Sequence, residues 1–356
     1  MKKILFLGQG SSIHMQRWVN AIADRGFEVI FASQHDFLEP LNSNVLYSKL
    51  PYSGGKGYFL NANPLKKLLK KHKPDIVNVH YASGYATTMR LAKARIPYIL
   101  SVWGADVYDF PLKSPIHLWW LRGNLMAASK ITSTSHVMAA QTKKVAPYLD
   151  EIAIVPFGVD LEKFKNNKKE NDIIIIGTIK TLAPKYGIDT LIEAFALLIN
   201  SRITKLKLRI IGTGSHLIEL VNLVEKLKIT EYVEFSGLVP HHKIPEELSK
   251  MDIFVALSRL DSESFGVAVI EAGACGLPVV VSDAGGLPEV VKHHVTGIIV
   301  PRENPQAATD ALELLILNHD LRKSMGENGR NHVSSLYNWN DNVNQMIEVF
   351  KSALKI

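Results

Sequence analysis

The sequence predicts an α/β protein of two domains, each built on a parallel sheet covered by helices. The chain has 356 residues, a length that corresponds to two domains of ordinary size. Its content of 47% hydrophobic and 21% charged residues is that of a globular, core-forming protein. Short apolar runs alternate with longer helical patterns, and this alternation is typical of parallel sheets with helices on both faces.

The first half of the chain contains five strand-like runs. Helical patterns such as "MQRWVNAIADRG" and "ATTMRLAKARIP" lie between them. The predicted strands cover residues 3–8, 28–33, 75–80, 98–103 and 130–135.

A change of composition near residue 160 predicts a boundary between domains. The segment "VPFGVDLEKF" is followed by "KNNKKEN", and charge without periodicity is typical of a linker. A second alternation of strands and helices follows. Its predicted strands cover residues 172–177, 207–212, 232–237, 252–257, 278–283 and 297–300.

Ligands of such sheets bind outside the carboxyl ends of the strands, so the loops there are candidate sites. The first loop, "GQGSSIHMQRW", has Gly8 and Gly10, but Ile13 replaces the third glycine of a dinucleotide fingerprint, which makes that signal weak. His14 and Arg17 follow at helical spacing as either ligands or solvated side chains.

The loop "GTIKTLAPKYG" places Lys180 and Lys185 between a predicted buried strand and a helix. Paired lysines are usually solvated. At the carboxyl end of a strand, however, such cations are suited to neutralise a leaving diphosphate.

Two acids flank an apolar run in "LDSESFGVAVIEAGACGLPVVVSDAGG". Simple helix capping explains Glu263 but not Glu271, a second acid inside the apolar run. The start of a helix presents unpaired N–H groups that favour phosphate. A rise of about 12 Å over eight helical residues fits a nucleotide sugar held between the two carboxylates.

Charge and cysteine content limit the compartment and the partners. Residues 1–160 contain 19 Lys and Arg against 10 Asp and Glu, whereas residues 161–356 are slightly acidic. A single cysteine, Cys275, excludes an internal disulfide framework and favours a reducing compartment. The N-terminal run "ILFLG" is too short for a signal peptide, so we expect a cytoplasmic protein.

Two segments suggest contact with an anionic membrane. Residues 64–73 form a basic amphipathic pattern, and residues 117–123 contain Trp119 and Trp120. The alternative for each is an ordinary surface helix with its leucines packed inward. We expect no nucleic-acid partner, because no aromatic-basic recognition motif is present.

Several of these segments resemble one family. The stretch "ESFGVAVIEAGACGLPVV" is similar to the E-x7-E signature of retaining glycosyltransferases of family 4, which have the GT-B fold. "VPFGVDLEKF", "GTIKTLAPKYGIDTLIEAF" and "DAGGLPEVV" also resemble family segments, so the likeness covers nearly the whole chain. It implies two Rossmann-like domains facing a central cleft.

The resemblance also implies domain limits. An acceptor-binding domain would cover residues 1–164, with the terminal helix at about 338–356 packed back onto it. A nucleotide-sugar-binding domain would cover residues 165–337.

The resemblance assigns the donor to the second domain. Glu271 would bind the ribose hydroxyls and Glu263 the sugar hydroxyls, with Lys185 as the phosphate lysine. The family usually has an arginine where this chain has Thr178, and Lys180 is its candidate substitute. The remaining implied donor contacts are Gly10, Leu238, Ser264, Phe265 and Gly266.

The acceptor side departs from the family pattern at Trp103, where many members have a histidine. The role of that histidine is therefore either missing or supplied by His80, Asp106 or the backbone. His80 and Asp106 join Glu263 and Lys185 as the candidate catalytic residues. Trp103 either stacks on a sugar or is simply packed. The candidate acceptor contacts besides Trp103 are His14, Arg17 and Tyr108.

The predicted activity is therefore retaining transfer of a sugar from a UDP- or GDP-sugar to a glycan or lipid-linked acceptor, in surface polysaccharide assembly at the inner face of the plasma membrane. We expect no cofactor and no essential metal, since "DSE" at 261–263 only faintly resembles a metal motif. The alternatives are a nucleotide-sugar epimerase and a non-catalytic sugar-nucleotide-binding protein.

Overall fold

The structure is a computed structural model that describes residues 2–38, 40–165, 172–201 and 205–354. The chain forms two compact units: unit 1 is Met1–Phe157 with Asn340–Ile356, and unit 2 is Gly158–Trp339. These bounds lie within a few residues of the predicted domain limits, which stay predictions. Most of the predicted polar linker lies outside the described residues.

Unit 1 contains a seven-stranded sheet in which neighbouring strands run parallel. The strands are β1 (Lys3–Leu7), β2 (Glu28–Ser33), β3 (Val45–Lys49), β4 (Ile76–His80), β5 (Tyr98–Ser101), β6 (Lys130–Ser133) and β7 (Ala153–Ile154). Their spatial order is β3-β2-β1-β4-β5-β6-β7, so the winding direction reverses between β1 and β4. All five predicted strands form; β3, a partly exposed edge strand, and the two-residue β7 were not predicted.

Helices cover this sheet and are apolar where they meet it. They are α1 (Ile13–Asp24), α2 (Gly54–Leu60), α3 (Ala62–His72), α4 (Tyr85–Ala92), α5 (Pro115–Met126) and α6 (His136–Val145). One core cluster joins strand residues such as Leu5 and Leu100 to helix residues such as Leu65 and Met138.

Unit 2 repeats this plan with a six-stranded parallel sheet. Its strands are β8 (Ile174–Ile179), β9 (Leu206–Ile211), β10 (Val233–Gly237), β11 (Ile253–Ala256), β12 (Val279–Ser282) and β13 (Gly297–Val300). The order is β10-β9-β8-β11-β12-β13, which puts the reversal between β8 and β11. All six strands predicted for this half of the chain form.

The helices of unit 2 are α7 (Ile188–Asn200), α8 (Leu217–Lys226), α9 (Ile244–Ser249), α10 (Val267–Ala274), α11 (Leu287–Val290), α12 (Pro305–Leu317) and α13 (His319–Leu336). On α7, Leu191, Phe195 and Leu198 are buried in the core. Burial of each such side chain stabilises a fold by about 1.5–3 kcal/mol. Cys275 follows α10 and is also buried, which raises the pKa of its thiol to about 12.

The terminal helix α14 (Trp339–Leu354) packs against unit 1. Its Phe350 ring lies edge-on to Phe6 of β1, with centroids 6.2 Å apart. Nearer its start, Asn342 Nδ2 donates to the Pro156 carbonyl at 3.1 Å. The C-terminal segment therefore completes the unit in which the chain begins.

Candidate functional site

The winding reversal of unit 2 brings together two of the predicted site residues. Lys180 directly follows β8, and Glu263 lies in the loop after β11. Lys180 Nζ is 2.8 Å from Glu263 Oε2, and the two side chains are 12% and 10% exposed. Ser258 Oγ donates to the same carboxylate oxygen at 3.3 Å. In parallel α/β sheets, this edge at the reversal is where ligands bind.

The second predicted lysine lies beside the first. Lys185 belongs to the 3-10 turn Pro184–Tyr186, and its Nζ is 4.8 Å from the centre of the Tyr186 ring. Lys180 Nζ lies 4.9 Å from the same ring. Two cations are thus grouped around one aromatic side chain, which favours an anionic ligand at this position.

The loop carrying Glu263 is held in place by arginine and glycine residues that were not among the predicted site residues. Arg302 lies 3.0 Å from both Asp261 and Asp283. The Gly286 N–H donates to the Glu263 carbonyl at 2.8 Å. A Cβ at position 286 would lie 2.3 Å from a backbone oxygen of the same loop, so only glycine fits there. The signal was present in "DAGGLPEVV", but which loop it supports depends on the tertiary structure.

Glu271 lies in the second turn of α10 and its side chain is buried. Its Oε1 is 2.8 Å from His241 Nε2. His241 starts the 3-10 turn that follows β10 and belongs to none of the sequence motifs described above. A buried carboxylate needs such a partner, because desolvation of an unpaired charge is costly.

The start of α10 also tests the helix-capping interpretation of the two acids. The N-cap residue is Gly266, which has a left-handed φ of 94° and no side chain that could cap the helix. Glu263 pairs with Lys180 instead. Capping therefore does not explain the acids in this structure.

The other predicted donor contacts differ in accessibility. Thr178 lies inside β8 and is buried. Lys180, the first residue after this strand, is the first basic side chain there. Leu238 follows β10 and is exposed. Ser264 and Phe265 are buried, with the Phe265 ring 5.6 Å from Tyr337. Their roles in ligand binding stay predictions.

In unit 1, the loop after β1 is held by internal hydrogen bonds. The Gly10 N–H donates to Ser33 Oγ at 2.8 Å, and its carbonyl accepts from Gln16 Nε2 at 2.5 Å. The loop is thereby fixed in shape, and the predicted contact of Gly10 with a diphosphate stays a prediction.

His80 lies at the end of β4 and is bonded at both ring nitrogens. Nε2 is 2.8 Å from Asn78 Oδ1, and Nδ1 accepts from Trp103 Nε1 at 3.1 Å. Burial lowers the pKa of His80 to about 3, so the ring is neutral at physiological pH. The predicted catalytic role stays a prediction, but this geometry favours positioning of Trp103.

Asp106 is fully buried and lies in the loop after β5 that also carries Trp103. Its carboxylate accepts hydrogen bonds from the backbone N–H groups of Ala82, Trp103 and Gly104, at 2.7, 3.1 and 2.8 Å. Burial raises its pKa above the ordinary value, while these N–H groups act in the opposite direction. The contacts favour a structural role over the predicted catalytic one.

The predicted acceptor residues His14 and Trp103 belong to one aromatic cluster within unit 1. The His14 ring stacks on Phe157 at 4.5 Å and meets Trp103 edge-on at 6.3 Å. Arg17, one turn further along α1, is half-buried, as is Tyr108. Trp103, which is partly buried, thus contacts other rings, and both of its predicted alternatives, sugar stacking and plain packing, stay predictions.

The two segments predicted to contact a membrane differ from each other. On α3, Leu65 and Leu69 are buried in the core, so the inward-packing alternative is correct for these leucines. On α5, Trp119 is exposed. Among the described helices, none combines the length and the apolar composition needed to cross a bilayer. Nor do three or more His, Cys, Asp or Glu side chains cluster as metal ligands in the described ranges.

Two family models match the chain, one in each half. The model described as "Glycosyl transferases group 1" matches residues 159–332. The model described as "Glycosyl transferase 4-like" matches residues 3–135. Together they contain the loops of both winding reversals.

Curated relatives and solved structures agree with the family models. The N-acetyl-alpha-D-glucosaminyl L-malate synthase of Bacillus anthracis is 26% identical over 83% of this chain and 79% of its own length. A glycosyltransferase named for colanic acid biosynthesis in Salmonella typhimurium is 29% identical over 61% of this chain and 54% of its own. The sucrose-phosphate synthase of Thermosynechococcus elongatus shares the fold, with a TM-score of 0.86, 20% identity and 99% coverage of both chains.

Proposed function

Because this chain belongs to the glycosyltransferases of the GT-B fold, we propose that it is a retaining enzyme that transfers a sugar from a UDP- or GDP-sugar to a glycan or lipid-linked acceptor. The observation that carries this proposal is the pair of carboxylates around the start of α10. Glu263 and Glu271 are each hydrogen-bonded to a basic side chain of the same unit.

Donor binding would exchange these internal partners for those of the ligand. Lys180 would turn from Glu263 to the diphosphate, and Glu263 would then accept hydrogen bonds from sugar hydroxyls. Glu271 would accept from the ribose hydroxyls beside His241. Charge-assisted hydrogen bonds of this kind are stronger than neutral ones, which favours a ligand rich in both hydroxyls and negative charge.

In the proposed transfer, the bond between the anomeric carbon and the diphosphate oxygen breaks while the acceptor oxygen bonds to the same face of the sugar. The acceptor proton passes to the leaving diphosphate. Lys180, Lys185 and the N–H groups that begin α10 would stabilise the negative charge on that group. We propose that these groups replace a metal, so that a chelator leaves the rate unchanged.

The proposed pathway is the assembly of a surface polysaccharide at the inner face of the plasma membrane. The similarity to the Salmonella colanic acid glycosyltransferase supports the class of product. The basic excess of the first half of the chain supports a location at an anionic surface.

A donor panel tests the proposal. UDP- and GDP-sugars are screened for a rise in thermal midpoint, with Glu271→Ala and, as a matched control, Glu219→Ala, which removes an exposed glutamate of α8. We expect one donor class to stabilise the wild type and the control but not Glu271→Ala. Equal stabilisation of all three proteins, or of none, would contradict the assignment of this site.

Product analysis tests the reaction itself. The anomeric configuration of the product, read by NMR, should match that of the donor. Inversion would overturn the retaining mechanism, and donor binding without any transfer to an acceptor panel would instead support a binding protein.

A further inference from the structure

Helix α5 is apolar on two opposite faces. On one face, Leu121 and Leu125 are buried in the core of unit 1. On the other, Ile116, Trp119 and Met126 follow one another at helical spacing and are 72%, 66% and 65% exposed. A surface helix of a globular protein normally has polar residues on its outer face. The outer face of α5 therefore calls for a partner or an apolar phase.

The exposed stripe continues onto neighbouring elements. The ring of Trp119 lies 5.9 Å from Trp120, which in turn lies 5.5 Å from Phe59 at the end of α2. Phe59 is exposed, as are its neighbour Leu60 and, in the turn before α5, Leu112. Contiguous exposed apolar side chains of this kind mark interaction sites, whereas single ones do not.

Trp120 fixes this surface to the fold. Its Nε1 donates to Thr87 Oγ1 at 2.7 Å, and the Arg90 guanidinium lies 4.3 Å above its ring. Because Trp120 is anchored, the adjacent Trp119 is held pointing away from the core. The stripe is thus a built feature of α5 and not a disordered side-chain arrangement.

Exposed basic residues lie on the same elements as the stripe and on neighbouring α3. Residues 40–149 contain 15 Lys and Arg but only three Asp and no Glu, and one of these acids, Asp106, is fully buried. Lys56 of α2, Lys113 of the preceding turn and Arg122 of α5 are exposed. Helix α3, which packs against α2, adds four exposed lysines: Lys66, Lys67, Lys70 and Lys71.

We infer that this surface, formed by the outer face of α5 with Phe59, Leu60 and Leu112, docks onto a bilayer that contains anionic phospholipids. Exposed tryptophan and aliphatic side chains enter the interface between headgroups and acyl chains, and nearby lysines are attracted to anionic headgroups. In this proposal α5, which carries the predicted segment 117–123, supplies the apolar contact, whereas the predicted segment 64–73 on α3 contributes charge alone. This supplies the membrane contact of the proposed function but does not depend on any reaction.

Vesicle co-sedimentation without substrate tests the inference. Wild-type protein is mixed with phosphatidylcholine vesicles that contain phosphatidylglycerol, or with phosphatidylcholine alone. We expect binding to the anionic vesicles and about ten-fold or greater loss of binding in Ile116→Ser with Trp119→Ser. The control double variant Ile218→Ser with Leu317→Ser removes two equally exposed apolar side chains from unit 2 and should bind like the wild type.

Charge and insertion are then measured separately. Lys66→Glu with Lys70→Glu should weaken binding to anionic vesicles, and the loss should shrink at high salt because ions screen the attraction. Tryptophan emission should shift to the blue on binding, and Trp119→Phe should remove most of that shift.

Several results would overturn the inference. These are absence of wild-type binding, equal binding to neutral vesicles, or equal binding by the Ile116→Ser with Trp119→Ser variant. A wild-type protein that self-associates through α5 and ignores vesicles would assign the surface to a protein contact instead. All substituted side chains are exposed, so circular dichroism should show folded variants. Because substrate is absent, the outcome is independent of whether the proposed transfer occurs.

Discussion

The two units hold the polar side chains at their strand ends in different ways. In unit 1, Asp106 accepts from three backbone N–H groups, and both ring nitrogens of His80 are bonded within a buried network. In unit 2, Lys180 pairs with Glu263 and His241 with Glu271, in each case through two side chains. Side chains can change rotamer and exchange partners for a ligand, whereas backbone groups move only if the loop itself moves.

The polar groups of the two units therefore have different consequences, one for the shape of a loop and the other for the exchange of hydrogen-bond partners. The buried groups of unit 1 fix the path of a loop, and the paired side chains of unit 2 can release one another. We therefore expect substitutions in unit 1 to affect stability first and substitutions in unit 2 to affect ligand response first.

The largest effect is expected for Asp106→Ala. It leaves three backbone N–H groups without this acceptor, two of them in buried hydrogen bonds, which should lower the free energy of unfolding of unit 1 by about 3 kcal/mol. Urea unfolding followed by tryptophan fluorescence measures this, since four of the five tryptophans belong to unit 1. The control is Asp109, an exposed aspartate of the same segment. Asp109→Ala should change the free energy of unfolding by less than about 0.5 kcal/mol. Wild-type stability with lost transfer would instead support the catalytic role that the sequence predicted.

Glu263→Gln should act in the opposite manner. It keeps the size of the side chain but removes the charge, and we expect kcat/KM for transfer to fall about 100-fold, or about 2.7 kcal/mol. The amide oxygen of glutamine can still accept from Lys180, so the thermal midpoint should fall less than in Asp106→Ala. Glu303 is an exposed glutamate paired with Arg259, so Glu303→Gln is the matched control and should retain activity. A strong loss of stability in Glu263→Gln would erase the contrast between the units.

His80 should make stability depend on pH. Its folded pKa of about 3 lies below the unfolded value near 6.5, so the unfolded chain binds a proton first as pH falls. The contribution of the neutral His80 ring to the free energy of unfolding is fully present above pH 6.5 and is lost as pH falls towards 3. At pH 5.5 the loss relative to pH 7.5 should be about 1.4 kcal/mol larger in the wild type than in His80→Gln. Parallel pH profiles of the two proteins would contradict a buried neutral imidazole.

His241→Ala should have the smallest effect. Glu271 would remain but lose its hydrogen-bond partner, which should weaken donor binding about five-fold, or about 1 kcal/mol. Calorimetric titration with the donor found in the panel measures this. The neighbour His242 is exposed, so His242→Ala should bind like the wild type. If His241→Gln, which retains a donor group, restores affinity, His241 positions Glu271 through the hydrogen bond; a failed rescue would argue against that role.

Much of the fold followed from local patterns. The predicted strands were found because parallel strands buried on both faces appear as continuous apolar runs. Strand β3 was missed for the converse reason, since it is a partly exposed edge strand without such a run. The pairing of Lys180 with Glu263 was not visible, because 83 residues separate them in the chain.

Local sequence patterns were enough to predict the class of the fold and the alternation of its elements, and to select Glu263, Glu271, Lys180 and Lys185 as candidates. These depend on periodicity, composition and spacing along the chain, which are local properties. Three outcomes depended on the tertiary structure. His241 is the hydrogen-bond partner of Glu271, and Asp106 accepts from backbone N–H groups. Trp119 is exposed, whereas Leu65 and Leu69 of α3 are buried. Those outcomes depend on the order of strands and the packing of helices, which bring together residues that no local pattern relates.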